Sequence, residues 1–227
     1  MSDSAKRAAA YAAVDACVKP GMSLGLGTGT TAYWMIHRVG ERVSERWPLT
    51  AVATSSETER LCKEHGIPLL GLLEGPPLDV ALDGADEVAP DFSLIKGGGG
   101  ALFRERAVAL VARSFVIAIT ENKLVPRLGA FPLPVEIVPF AVRYGIREIS
   151  SLGARARLRQ KDDAPFVTDN GNYLLDCSFD EAYDPAALDA RLRTIHGVVT
   201  TGLFVGLTSR VFVGSPTGAY ELPPPTS

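Results

Sequence analysis

Between Leu82 and Arg106 the chain reads LDGADEVAPDFSLIKGGGGALFRER, a stretch dense in groups able to do chemistry. Asp83 and Asp86 share one turn, Lys96 precedes four consecutive glycines (Gly97 to Gly100), and Glu105 opens what reads as a helix. Four glycines in a row lose more backbone entropy on folding than any other four residues and offer no side chains to pack. Such a loop makes sense where something must approach the main chain closely. A lysine before it and carboxylates on both sides point to a small, charged, oxygen-rich ligand.

A second candidate lies upstream in MSLGLGTGTTAYWMIHRVGERV, which reads as a strand (22–26), a glycine-rich turn (25–31) and a helix (32–43). Amides at a helix start point outward, and the helix dipole favours negative charge there. Thr28, Gly29, Thr30 and Thr31 put hydroxyls and bare backbone at the same place. A dinucleotide fingerprint fits poorly: the glycines fall at 25, 27 and 29, and Thr30 stands where the third belongs. A ligand-free tight turn is the plain alternative, but three threonines beside three glycines look more like a phosphate cradle.

The elements that would position these groups alternate. Helices are expected over 3–18, 32–43, 56–65 and 101–112, and strands over 22–26, 49–54, 67–70, 78–82 and 115–120. That order argues for a parallel sheet with right-handed crossovers, whose ligands bind beyond the carboxyl ends of the strands. Both the GTGTT and DGAD turns follow strands, so both belong on that edge. Ser55 and Ser56 read as helix-capping residues. After Lys123 the character changes. FPLPVEIVPF, with Pro132, Pro134 and Pro139, reads as an edge strand or a crossing between domains. Then come a helix (140–152), a strand (154–159), a hairpin (165–179) with Asn170-Gly171 at its tip, a helix (185–195) and a strand (198–205). This β-α-β-β-α-β order is that of a small ferredoxin-like unit. A last strand, 210–213, returns to the first sheet, and the closing PPPTS reads as loose. The expected fold is α/β: a Rossmann-like, mostly parallel sheet with helices on both faces (1–130 and 207–227), plus an inserted small α+β domain (131–206).

Composition narrows the function classes. The 227 residues carry a net charge of −3, which gives no reason to expect nucleic acid or an anionic membrane as partner. No apolar run approaches the roughly 20 residues that span a bilayer, and the N-terminal stretch lacks the apolar core of a signal peptide. Cys17, Cys62 and Cys177 are far apart and share no spacing with His37, His65 and His196, so neither a disulfide framework nor a metal site is indicated. The expectation is a cytoplasmic, metal-free protein.

GLGTGTTA, LDGADEV, IKGGGGAL followed by Glu105, FPLPVEI, VTDNGN and GVVTTGLF occur in an order and spacing that resemble the ribose-5-phosphate isomerase type A family over nearly the whole chain. The resemblance implies cofactor-free interconversion of ribose 5-phosphate and ribulose 5-phosphate, and a homo-oligomer, either dimer or tetramer. Carried over by motif, Thr28 to Thr31, Asp83 to Asp86 (with Gly84 and Ala85), Lys96 to Gly99 (with Gly97 and Gly98) and Lys123 would bind substrate, and Glu105 would be the catalytic base. The turn has Thr30 where the family more often has serine, and Arg106 where a lysine commonly follows the glutamate. Thr120 and Asn122 stand near Lys123 where aspartate and serine are commoner.

The residues match that chemistry. Aldose–ketose isomerisation moves a proton between neighbouring carbons through an enediolate. It requires a base that takes and returns the proton and donors aimed at the oxygen that gains charge. Glu105 suits the shuttle, Lys96 and loop amides the oxyanion, and Asp83 and Asp86 ring opening and hydroxyl binding, with the choice between the two acids left open. Taken singly, each has a plainer explanation. Glu105 could be a first-turn acid favoured by the dipole, Asp83 and Asp86 turn-formers beside Gly84, Lys96 a solvated charge, and Lys123 a partner of Glu121 or Glu136. Their joint occurrence and the family likeness reverse that weighing. A deaminase or lactonase on a similar fold would want a histidine in these motifs, and a sugar-phosphate sensor would want an attached helix-turn-helix; the sequence shows neither.

Overall fold

The computed structural model describes residues 3–72 and 75–225; Thr226 and Ser227, in the closing PPPTS, lie outside them. The chain forms two compact units. The first comprises Met1–Ala85, Arg104–Leu124 and Leu207–Ser227, the second Asp86–Phe103 and Val125–Gly206. Residue 131, where the small domain was expected to begin, falls inside the second unit, which also takes in 86–103.

The first unit is built on a six-stranded sheet in the order Gly218–Glu221, Arg210–Ser215, Phe115–Thr120, Val80–Asp83, Ser23–Leu26, Thr50–Ala53. All neighbours are parallel except the terminal hairpin of Arg210–Ser215 with Gly218–Glu221, which the sequence reading did not include. Ser23–Leu26, Val80–Asp83 and Phe115–Thr120 are buried at every position, as expected of parallel strands covered on both faces. On one face Ala9 and Ala13 of helix Asp3–Cys17, Met35 and Val39 of helix Thr30–Ser44, and Cys62 of helix Ser56–Glu64 share a core with Leu24, Leu26, Leu82, Val116 and Phe212. On the other lies helix Leu102–Val111: a Cβ on Gly25 would sit 2.2 Å from Val108 Cγ1 and 3.1 Å from Ala81 Cβ. Only glycine lets that helix approach so closely. The strand expected at 67–70 shrinks to one bridge, Ala51 to Leu69.

The second unit holds a four-stranded antiparallel sheet in the order Val198–Thr201, Leu133–Ile137, Tyr173–Phe179, Ala154–Leu158, with helices Val142–Ser151 and Pro185–Arg193. This is the ferredoxin-like arrangement the element order implied. Leu133–Ile137 is an interior strand, not an edge. Pro134 is tolerated there because its carbonyl faces Gly202, whose amide donates to it at 2.7 Å, just past the last register pair, Thr201 with Val135. The missing proline N–H therefore costs no ladder bond. Asn170-Gly171 does sit at a tight turn, closed by the bridge of Val167 and Tyr173. A separate hairpin pairs Gln160–Lys161 with Ala164–Pro165 around Asp162 and Asp163, both at positive φ. The strand expected over 198–205 breaks at Gly202. Leu203–Phe204 leaves to pair with Leu94–Ile95, which also pairs with Glu87–Val88, and so ties 86–103 into this unit.

Candidate active site

The first unit gathers one group of the expected site residues at the carboxyl edge of its sheet. Gly29 (φ 112°) is the N-cap of helix Thr30–Ser44 and supplies no side-chain cap, so Thr30 and Thr31 open the helix with their amides outside the intrahelical ladder. Gly29 and Thr30 are exposed. Thr28 behaves differently from its neighbours. Its hydroxyl donates inward to Ser55 Oγ at 2.8 Å, Ser55 Oγ donates to Thr58 Oγ1 at 3.0 Å, and Thr58 Oγ1 donates to the Gly27 carbonyl at 2.7 Å. Thr54 closes the cluster, 2.9 Å from Thr28 Oγ1 while donating to the Leu26 carbonyl. Each hydroxyl has one proton to give, so that of Thr28 is spent on shaping the turn. Ser55 is indeed the cap of the next helix, accepting from the Thr58 amide. The hydroxyl chain is what the sequence reading missed; its trace was three Ser/Thr at 54–56 and a fourth at 58.

Asp83 ends its strand fully inside the protein and lies against the threonine turn: a Cβ on Gly27 would fall 2.0 Å from its carboxyl carbon. Asp83 Oδ1 accepts from the Gly84 amide at 2.7 Å, and Gly84 faces Thr31. Ala85, at the end of this segment, is half-buried. Lys123 is on the short 3₁₀ turn Glu121–Lys123 that follows strand Phe115–Thr120, the neighbour of the Asp83 strand.

Glu105 reaches the same edge. It is buried, and it precedes by three positions Val108, the residue seated over Gly25 and Ala81. Residues three apart share a helix face. The helix links two parallel neighbours, Val80–Asp83 and Phe115–Thr120, and so runs opposite to them, with its start toward their carboxyl ends. From Val108 back to Glu105 is about 4.5 Å along the helix; from Ala81 to Asp83 is about 6.6 Å along the strand. Both displacements run the same way, toward the carboxyl edge of the sheet.

The second unit holds the other group. Asp86 Oδ2 accepts from the Gly98 amide at 2.7 Å, and a Cβ on Gly98 would lie 2.5 Å from Asp86 Oδ1. Lys96 is buried; its amide donates to the Gly202 carbonyl at 2.9 Å, and its Nζ lies 5.7 Å from the Phe204 ring centroid. Gly97 (φ 105°) and Gly100 (φ 83°) take left-handed conformations; a Cβ on Gly100 would meet the Phe166 ring at 2.5 Å. Gly98 and Gly99 are exposed. Arg159, which no motif pointed to, donates through Nη1 to the carbonyls of Gly97 and Gly98. Glu136 does not serve Lys123: it is fully buried and accepts from Thr168 Oγ1 and Asn172 Nδ2. Among the described residues no group of three or more His, Cys, Asp or Glu side chains could hold a metal ion.

Buried carboxylates beside helix-start amides, on the carboxyl edge of a parallel sheet, define an enzyme of the α/β class acting on a small anion. The family model for ribose 5-phosphate isomerase A (phosphoriboisomerase A) matches residues 50–218. A ribose-5-phosphate isomerase A from Bacillus mycoides is 47% identical over 205 residues, 90% of this chain and 93% of that protein. The structure of ribose 5-phosphate isomerase A from Methanocaldococcus jannaschii superposes with a TM-score of 0.91 at 40% identity, over 96% of this chain and 97% of that one. A D-ribose-5-phosphate isomerase in complex with phospho-erythronic acid gives 0.92 at 37% identity, over 96% of each chain. The chain belongs to the ribose-5-phosphate isomerase A family, isomerases that interconvert ribose 5-phosphate and ribulose 5-phosphate.

Proposed function

We propose that this chain isomerises D-ribose 5-phosphate and D-ribulose 5-phosphate through an enediolate, with Glu105 as the base. The observation that carries the reading is the burial of Glu105, three residues ahead of Val108, which packs on Gly25 in the strand leading into the Thr28–Thr31 turn. There the carboxylate takes the proton from C2 of the open aldose and returns it to C1; the reverse reaction runs the same path backwards. Charge on the carbonyl oxygen is met by Lys96 and the amides of Gly97 to Gly99. Asp83 and Asp86 bind hydroxyls, and one of them assists ring opening. Thr28 to Thr31, the Gly84–Ala85 turn and Lys123 hold the remaining oxygens, the phosphate at the start of helix Thr30–Ser44. Phospho-erythronic acid, bound by a relative, combines a phosphate with a planar carboxylate, the charge pattern of the enediolate. No step calls for a metal or a nucleotide.

We further place the protein in the cytoplasm as a homodimer or homotetramer. Among the described residues no helix is long and apolar enough to cross a membrane, and Val138, Phe140 and Tyr144 expose apolar surface that a second copy would cover. Light scattering reads the assembly state.

The test of the reaction is direct. Purified protein given ribose 5-phosphate, without added metal or nucleotide, yields ketose in a colour assay. Glu105→Gln still binds substrate and loses roughly 10²- to 10⁴-fold in turnover. Wild-type turnover in that variant would remove Glu105 from the role.

A further inference from the structure

We propose that Arg159 is a positioning residue of the isomerase reaction: it fixes and polarises the two central peptides of the glycine loop, so that one amide holds Asp86 and the next is offered to the substrate oxyanion. The proposal rests on the reading of Lys96 to Gly99 as a substrate-binding segment, and adds a residue that no motif marked.

The geometry is specific. Arg159 Nη1 donates to the carbonyl of Gly97 at 2.8 Å and to that of Gly98 at 3.2 Å. Its Nε and Nη2 hold both oxygens of Asp176, at 3.0 and 2.5 Å, and its guanidinium lies 5.9 Å from the ring centroid of Phe166, the ring packed on Gly100. The planar fork is therefore locked on one side by a carboxylate and on the other by the loop it serves. Asp176 belongs to strand Tyr173–Phe179, in the interior of the four-stranded sheet, so the clamp stands on a rigid element.

Trans peptide geometry gives the consequence. The N–H of each peptide points opposite to its carbonyl. With the Gly97 and Gly98 carbonyls turned to Arg159, the amides of Gly98 and Gly99 turn away from it. The Gly98 amide is found where this places it, donating to Asp86 Oδ2 at 2.7 Å. The Gly99 amide leaves on the same side, at an exposed residue. A cation hydrogen-bonded to a carbonyl also strengthens the N–H of the same peptide as a donor. The Gly97 carbonyl also accepts from the Gly100 amide at 3.0 Å, which closes the turn; Arg159 adds the cation that fixes and polarises both peptides before substrate arrives.

The experiment measures kcat and KM for ribose 5-phosphate, inhibition by phospho-erythronic acid, and Tm, in Arg159→Gln, Arg159→Lys and Lys96→Gln. Deleting one oxyanion donor outright costs roughly 10²- to 10³-fold in kcat. Weakening one through its carbonyl costs less: Arg159→Gln should lose roughly tenfold in kcat, with KM little changed and inhibitor affinity falling in step with kcat. Arg159→Lys, which keeps the charge but lacks the fork, should fall between, and it carries the test if the glutamine variant does not fold. A lowered Tm with wild-type kcat, KM and inhibition in the Arg159 variants would reduce Arg159 to a scaffold contact and overturn the proposal. If Lys96→Gln also keeps wild-type kinetics, the segment does not bind substrate and the underlying reading fails with it; if Lys96→Gln is impaired and the Arg159 variants are not, only the present proposal fails.

Discussion

Gly27 and Asp83 are in contact across two adjacent strand ends, so close that a methyl group on Gly27 would overlap the Asp83 carboxyl carbon at 2.0 Å. Gly27 is also held by its own backbone, its amide donating to the Leu82 carbonyl at 2.9 Å and its carbonyl accepting from Thr58 Oγ1. The glycine at this position is thus required by a carboxylate, not by backbone conformation. GTGTT and LDGAD, read from sequence as two separate turns, are one packed unit.

Gly27→Ala therefore acts as a displacement of Asp83. The strand is pinned on both sides, so the carboxylate moves and loses its bond from the Gly84 amide. We expect kcat/KM for ribose 5-phosphate to fall by roughly 10²-fold, the loss attached to a misplacement of about an ångström. Steady-state kinetics with circular dichroism checks it; wild-type kcat/KM would show that Asp83 tolerates the shift.

Ser55→Ala removes a helix cap and the middle of the chain from Thr28 to Gly27. The cap alone is worth about 1 kcal/mol, and the Thr28 hydroxyl loses its acceptor. A destabilisation of 1 to 2 kcal/mol corresponds to a Tm lower by roughly 2 to 8 °C at this chain length. Calorimetry reads the shift. An unchanged Tm would mean that water replaces the serine without loss.

The motifs were legible because their chemistry is local. A strand, a glycine turn and a helix start announce an anion site wherever they occur, and the NG turn and Pro185 at a helix start turned up where they were read. What stayed hidden depends on partners distant in the chain. Nothing near Arg159 says that it will reach back 62 residues to Gly97. Nothing in FPLPVEI says that its proline sits where the neighbouring strand departs. The segment 86–103 carries the densest chemistry in the sequence, yet its unit is decided by Leu203 and Phe204 pairing onto it. Sheet partnership across a hundred residues leaves no periodic trace.

Glu136 is a buried carboxylate with a structural task. Thr168 Oγ1 at 3.0 Å, Asn172 Nδ2 at 2.9 Å and Asn170 Nδ2 at 3.4 Å donate to its Oε1, while among the described residues Oε2 has no hydrogen-bond partner, and neither has Thr200 Oγ1, on its register partner. Glu136→Ala strips the buried Thr168 hydroxyl and two less buried asparagine amides of their acceptor, at a cost of about 1 to 3 kcal/mol for the buried group left unsatisfied. Glu136→Gln keeps the acceptor and supplies an amide donor on the side of Oε2. We expect Glu136→Ala to lower Tm by several times more than Glu136→Gln. Equal shifts would show that the charge, not the acceptor, matters.

His65 makes stability sensitive to mild acid. Burial, and then the neighbouring His37 with its ring centroid 5.2 Å away, hold its imidazole below the ordinary value, against the opposing pull of Glu64 and Glu41. His37 Nδ1 is itself 2.8 Å from the Tyr11 hydroxyl and 3.5 Å from Glu41. A histidine whose folded pKa is depressed takes its proton more readily in the unfolded chain, where the value is about 6.5. As pH falls below that point the unfolded state binds more protons, and stability drops until the folded pKa is passed. Above neutrality the group is uncharged in both states and contributes no slope. Tm should therefore fall more steeply between about pH 7 and 5 in the parent protein than in His65→Gln, while other titrating groups affect both alike. Parallel Tm curves across that window would mean that His65 carries no proton linkage to folding.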